Sequence, residues 1–290
     1  MTWQTALKLG RVSNLPTVWT NTLAAAVLAG AAIGDWRLWL LFVAMSLYYV
    51  GGMYLNDAFD AGIDAVERPE RPIPSGQVSR GTVYGAGFGM LILATLAIVG
   101  LAAVQEGGAG FWSVVSGLAL AAMIILYNWH HKNNPLSPFI MGLCRMLVYT
   151  TTGLCFVMSL PAGLWIGALV LLCYLIGLTY VAKQENFGSV ENLWPLAFLA
   201  APLVYGVVHL GAAPMVAVFL VALGAWIAYA VWLVQRRQPG DIPRAVISLI
   251  AGISLLDGLL IAAAGQFTVA LLAVLGFAFT LFLQRYVSGT

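Results

Sequence analysis

The chain has 290 residues, of which 61% are hydrophobic and 8% charged, with a formal net charge of +2. Soluble domains carry about 25% charged residues, so this composition excludes a water-borne globular enzyme, a disordered chain and a nucleic-acid binder with a basic face. It describes an all-α integral membrane protein, read as one domain over residues 1–290.

Residues 1–14, MTWQTALKLGRVSN, hold no apolar core and are not expected to form a cleavable signal peptide. Ten apolar runs follow, near 15–33, 37–58, 80–104, 111–129, 138–159, 163–183, 193–209, 214–235, 243–264 and 267–287. A bilayer core asks for about 20 apolar residues per helix. Only Gly265–Gln266 separates the last two runs, so nine or ten transmembrane helices are expected. In a ten-helix trace Lys8, Arg11, Arg68, Arg71, Arg80, Lys132, Lys183, Arg236, Arg237, Arg244 and Arg285 share one side, and Arg37 lies opposite. The excess of Lys and Arg marks that side as cytoplasmic, together with both termini. Nine helices would move the C-terminus across. Cys144, Cys155 and Cys173 sit inside apolar runs with no CxxC pair, which gives no disulfide framework.

The second run ends in Asn56-Asp57-Ala58-Phe59-Asp60-Ala61-Gly62-Ile63-Asp64. At about 100° per residue, Asp57, Asp60 and Asp64 fall within about 60° of one helical face, with Asn56 beside them. Aligned carboxylates at a membrane boundary and a helix C-terminus repel one another and the helix dipole. They call for a cation, and Mg²⁺ fits, because it takes carboxylate oxygens and bridges to substrate phosphates. Directly afterwards Glu67-Arg68-Pro69-Glu70-Arg71-Pro72-Ile73-Pro74-Ser75-Gly76 forms a proline-braced loop with two arginines. Arginine forks pair with phosphate oxygens. Together these point to a diphosphate bound through Mg²⁺, with a lipidic tail in the bilayer.

The segment NDAFDAGIDAVERPERPIPSG resembles the first aspartate-rich signature of the UbiA-type intramembrane prenyltransferases, and GRVSNLPTVWTN resembles their entry into the first helix. The resemblance implies a helical bundle around a central cavity open toward the cytoplasmic side, with a prenyl diphosphate held by Mg²⁺ between two polar caps. It assigns Asn56, Asp57, Asp60 and Asp64 to metal and diphosphate binding, with Asp57, Asp60 and Asp64 as the catalytic acids and Arg68 and Arg71 as the basic partners. The family's basic loop after the fourth helix is matched loosely by Tyr127-Asn128-Trp129-His130-His131-Lys132, with Lys132 as the diphosphate contact.

The second aspartate-rich motif, due at the end of the sixth helix, is replaced by Gly177-Leu178-Thr179-Tyr180-Val181-Ala182-Lys183-Gln184-Glu185-Asn186-Phe187-Gly188, with Glu191 beyond it. Glu185 stands as a metal ligand and Tyr180 and Lys183 as phosphate contacts, in a stretch that holds no aspartate. His130 and His131 read as interfacial residues. Asp257, deep in its helix, either finds partners on a neighbouring helix or lines the cavity. Asn14 and Asn21 either edge the cavity or join helices. Tyr149 and Tyr174 are candidate faces for an allylic cation, though nothing in the sequence selects them.

The function expected is Mg²⁺-dependent transfer of an isoprenyl group from a prenyl diphosphate to an acceptor, an aromatic one being the family's commonest case. Two alternatives stay open. One is transfer of another diphosphate-activated group to a polyprenyl phosphate. The other is a non-catalytic binder or transporter of an isoprenoid or amphipathic metabolite, which the altered second motif favours and the complete first motif argues against.

Overall fold

The structure is a computed structural model that describes residues 1–104, 108–132, 134–183, 192–211, 214–287 and 289. Its helices are α1 (Trp3–Leu9), α2 (Leu15–Leu28), α3 (Trp36–Glu67), α4 (Arg80–Val104), α5 (Phe111–His130), α6 (Ser137–Leu154), α7 (Ala162–Lys183), α8 (Ala201–His209), α9 (Met215–Arg236), α10 (Asp241–Ala263) and α11 (Phe267–Leu283). Two 3₁₀ segments, Val12–Asn14 and Trp194–Ala200, lead into α2 and α8.

Each of the ten apolar runs is mostly helical among the described residues, yet the expected nine or ten crossings are not reproduced. Among the described residues six helices, α3, α4, α5, α7, α9 and α10, are long and apolar enough to cross a membrane. The others fall short for local reasons. α2 has 14 residues, with Pro16 in its first turn and Gly30 at φ 79° just past its end, positions where proline opens and glycine closes a helix. α6 carries Arg145 and the triplet Thr150–Thr152, which lower its apolarity. Pro195 and Pro202 break 194–209 into a 3₁₀ turn and a short helix.

α3 does the opposite. Its 32 residues span about 48 Å, against a hydrocarbon core of about 30 Å, so one end must stand clear of the apolar layer. At its start Asp35 accepts from the Arg37 backbone N–H at 2.9 Å and pairs with the Arg37 guanidinium at 2.6 Å. That guanidinium holds the Asp35 carboxyl below the usual carboxylate range. At the far end Pro69 cannot continue the helix, and the chain turns through Arg71 N–H to Arg68 O and Ser75 N–H to Arg71 O bonds.

Packing follows the distribution of apolar residues. α10 is apolar on nearly every face and is buried along almost its whole length, packed against α2, α7, α9 and α11. α3 and α4 meet at two glycines. A Cβ on Gly51 would lie 2.9 Å from the Gly87 carbonyl oxygen, and one on Gly87 would lie 2.8 Å from Leu55 Cγ. Small residues at such a crossing let backbones approach closely.

Gly51→Ala is therefore expected to lower stability by about 1–3 kcal/mol, because its obstacle is backbone that cannot swing away. Gly100→Ala on α4 meets open space and is expected to be neutral or stabilising by up to ~1 kcal/mol through helix propensity. Thermal unfolding of both variants in detergent checks the contrast.

Candidate active site

The extended end of α3 opens into a cavity of about 600 Å³ walled by α3, α5, α6, α7, α10 and the segment before α2. α3 lines it with Met45, Tyr48, Tyr49, Gly52, Met53, Asn56, Asp60 and Asp64, a spacing of three and four residues that keeps one helical face inward. From Met45 to Asp64 this face runs about 28 Å. Its polar end gathers Asp60, Asp64, Arg11, Arg68, Arg71, His131, Lys132 and Lys183. The deeper walls are largely apolar: Leu120 and Ile124 on α5, Val148 on α6, Leu175 and Leu178 on α7, and Ile250 and Ile253 on α10.

The acids are compensated by arginines from both sides. Arg11 Nη2 donates to Asn56 Oδ1 at 3.1 Å and to Asp57 Oδ1 at 3.2 Å. Arg71 Nη1 reaches Asp64 Oδ2 at 2.9 Å and Asp57 Oδ1 at 3.4 Å. Asn56 Nδ2 donates to Asn128 Oδ1 at 3.1 Å, and Asn128 in turn donates to Gly52 O at 2.9 Å, which ties α5 to α3. Asp60, on the cavity wall, has His131 Nε2 at 3.3 Å. His131 stacks on Tyr127 at 5.0 Å between ring centroids.

On two residues of this wall, His131 Nδ1 and Thr179 Oγ1 are buried without a hydrogen-bond partner among the described residues, although buried polar atoms are ordinarily satisfied. Asp60 and Asp64 sit one helical turn apart on the wall, with Asp57 behind them. That donor set suits Mg²⁺, which takes one or two carboxylates and completes its shell with phosphate and water. Among the described residues no group of three His, Cys, Asp or Glu side chains forms a metal site without further ligands.

The sequence-derived residues divide clearly. Asn56, Asp60, Asp64, Arg68, Arg71, Lys132 and Lys183 all line the cavity. Lys132 also stands 3.9 Å from Glu67, and Lys183 donates to Asn134 O at 2.7 Å. Asp57 is held by Arg11 and Arg71 and does not line the cavity. Tyr180 is not brought to it either: Thr179 and Lys183 face inward, and the next position along from Thr179 is turned about 100° away. Glu185 and Glu191 lie outside the described residues.

Two expectations are corrected, and one left open is decided. His131 is a cavity residue against Asp60 and not an interfacial one, whereas His130 is exposed. Tyr149 and Tyr174 are fully buried away from the cavity, Tyr149 on Asp257 and Tyr174 on Leu249 O, and the tyrosines on the wall are Tyr48, Tyr49 and Tyr127. Asp257 finds partners on neighbouring helices: Thr20 and Asn21 from α2 and Tyr149 from α6. Arg11 was read only as a marker of sidedness. Its backbone is left-handed, at φ 41° and ψ 47°, a conformation rare outside glycine and concentrated at functional sites.

Comparison with known proteins agrees with this geometry. The model of the UbiA prenyltransferase family matches residues 17–250. Digeranylgeranylglyceryl phosphate synthase of Methanopyrus kandleri is 28% identical over 208 residues, covering 69% of each chain. A solved structure of a digeranylgeranylglyceryl phosphate synthase superposes with a TM-score of 0.62 at 18% identity, covering 90% of this chain and 97% of that one. The apo structure of a UbiA homologue from Aeropyrum pernix K1 superposes with a TM-score of 0.65 at 15% identity, covering 87% and 97%. This multi-pass membrane chain thus belongs to the UbiA prenyltransferase family.

Proposed function

We propose that the chain transfers an isoprenyl group from a prenyl diphosphate to an acceptor inside the bundle, with the polar end of the cavity facing the cytoplasm. The observation that carries this reading is the convergence of Asp60, Asp64, Arg11 and Arg71 at one end of an otherwise largely apolar cavity. Asp60 and Asp64 are the carboxylates that would hold Mg²⁺, and the ion when bound would supply positive charge against the diphosphate oxygens. Arg11, Arg68, Arg71, Lys132 and Lys183 add fixed positive charge where negative charge grows as the leaving group departs.

The bond between prenyl C1 and the diphosphate oxygen breaks, and its electron pair leaves with the diphosphate. The acceptor's nucleophilic atom bonds to C1 and gives up its proton to the departing diphosphate. The apolar walls keep water from capturing the developing allylic cation. The name of the Methanopyrus relative supports a glyceryl phosphate acceptor alongside the aromatic acceptor expected from the sequence. A carrier without chemistry would release no diphosphate.

Binding of an unreactive farnesyl thiodiphosphate to the detergent-purified protein tests the donor site. Saturable binding that requires Mg²⁺ is expected, with Asp60→Asn weakening it ~10- to 100-fold, the usual scale for losing a charged ligand. Binding indifferent to both Mg²⁺ and Asp60 would overturn the reading.

Arg11 is expected to matter as much as the loop arginine. Arg11→Gln and Arg71→Gln should each weaken thiodiphosphate binding by ~10-fold or more. A lowered unfolding temperature with unchanged affinity in Arg11→Gln would instead make Arg11 a purely structural brace for Asp57.

A further inference from the structure

Arg145 lies in the middle of α6, among largely apolar cavity walls where a cation without a counter-charge is costly. It lines the cavity. Its Nη1 donates to Asn21 Oδ1 at 2.7 Å and its Nη2 to Thr17 Oγ1 at 3.2 Å, and its Cζ stands 5.6 Å from the centroid of the Tyr49 ring. All three partners are neutral. The acid of this network, Asp257, is not touched directly. Asn21 stands between, donating from Nδ2 to Asp257 Oδ1 at 3.0 Å and Oδ2 at 2.8 Å, while Thr20 and Tyr149 also donate to the same carboxyl. The carboxyl is thus saturated from α2 and α6. The guanidinium has five N–H groups and keeps those not used by Asn21 and Thr17 beside the cavity.

This cation is separate from the acidic end. Tyr49, beneath it, precedes Asp60 by eleven positions on α3, which is about 16 Å of helix. An isoprenoid tail offers it nothing, because apolar surface against a guanidinium removes water without replacing its hydrogen bonds. A carboxylate or phosphate matches the guanidinium fork. We propose that Arg145 holds the oxyanion of the acceptor, so that the cavity binds two anionic groups: the donor's diphosphate at Asp60 and Asp64, and the acceptor's carboxylate or phosphate at Arg145. The assignment to an acceptor rests on the prenyl-transfer reading above. The anion site itself rests on the Arg145 network.

Two matched probe pairs test it by equilibrium binding to the full chain in detergent: 4-hydroxybenzoate against 4-hydroxybenzamide, and geranylgeranylglyceryl phosphate against geranylgeranylglycerol. Wild type is expected to bind the anionic member of one pair at least ~10-fold more tightly than its neutral partner, the scale of a charge-assisted hydrogen bond. The pair that is discriminated identifies the oxyanion as carboxylate or phosphate. Arg145→Gln should bring that ratio near unity, and Arg145→Lys, which keeps the charge and loses the fork, should retain part of it. Equal affinity for both members of both pairs in wild type would overturn the proposal, and this arm needs no variant. A preference that survives in Arg145→Gln would also overturn it and leave Arg145 as a counter-charge for Asp257 alone. Farnesyl thiodiphosphate reads the other end separately. If it binds and no pair is discriminated, only the Arg145 assignment falls. If it fails to bind while the Arg145-dependent preference holds, the prenyl-transfer reading falls and the anion site stands.

Discussion

The acids at the end of α3 impose a condition that much of the surrounding structure meets. Asp57, Asp60 and Asp64 are buried on one helical face, close to the negative end of the helix dipole, and three carboxylates so placed need positive charge from elsewhere. Arg71 returns from the loop seven residues after Asp64, and Arg11 arrives from the segment before α2. The left-handed turn at Arg11 and the proline-braced bend after α3 are the backbone features that accompany this compensation. With arginines on both sides of Asp57, the wall presented to the cavity carries Asp60 and Asp64 next to fixed cations, a mixed surface suited to a charged group with a metal ion.

The cavity is polarised along its length. One end can accept a group that must stay hydrated or metal-bound, and the other has walls of leucine, isoleucine, valine and methionine interrupted by Arg145. A simple slot for an apolar chain would have no use for that interruption. The lengths of the helices set the gradient. α3 overshoots the hydrocarbon core, which carries its acids to the boundary, while α6 places its arginine between the apolar walls of the cavity.

Much of the acidic site was legible in the sequence because its signal is local. The Asn56-to-Asp64 spacing and the arginines at Arg68 and Arg71 lie within sixteen residues on one helix and its following loop, and helical periodicity orients them without tertiary information. What could not be read depends on contacts between distant positions. Arg11 meets Asp57 across 46 residues, and Arg145 meets Asn21 across 124. His131 looked interfacial because its position follows α5 and its partner Asp60 is on another helix. Tyr149 and Tyr174 offered the right chemistry on the wrong helical faces, since a tyrosine in an apolar run carries no mark of which neighbour it faces. Helix lengths depart from the apolar runs where Gly30, Pro195 and Pro202 shorten helices that the runs continue through.

The enclosure of α10 has a consequence for how the chain is made. This helix is the most buried of the long helices and follows α2 to α9 along the chain. The side chains that satisfy Asp257 come from positions more than 100 residues earlier, Thr20 at a separation of 237 and Tyr149 at 108. Until α10 leaves the ribosome, α2, α7 and α6 must enter the membrane with their inner faces toward an unfilled central slot. Such non-local closure makes assembly slow and leaves the incomplete bundle exposed to mispairing. The order of elements along the chain thus makes insertion of α10, and not the formation of any early helix pair, the event that fills the central slot.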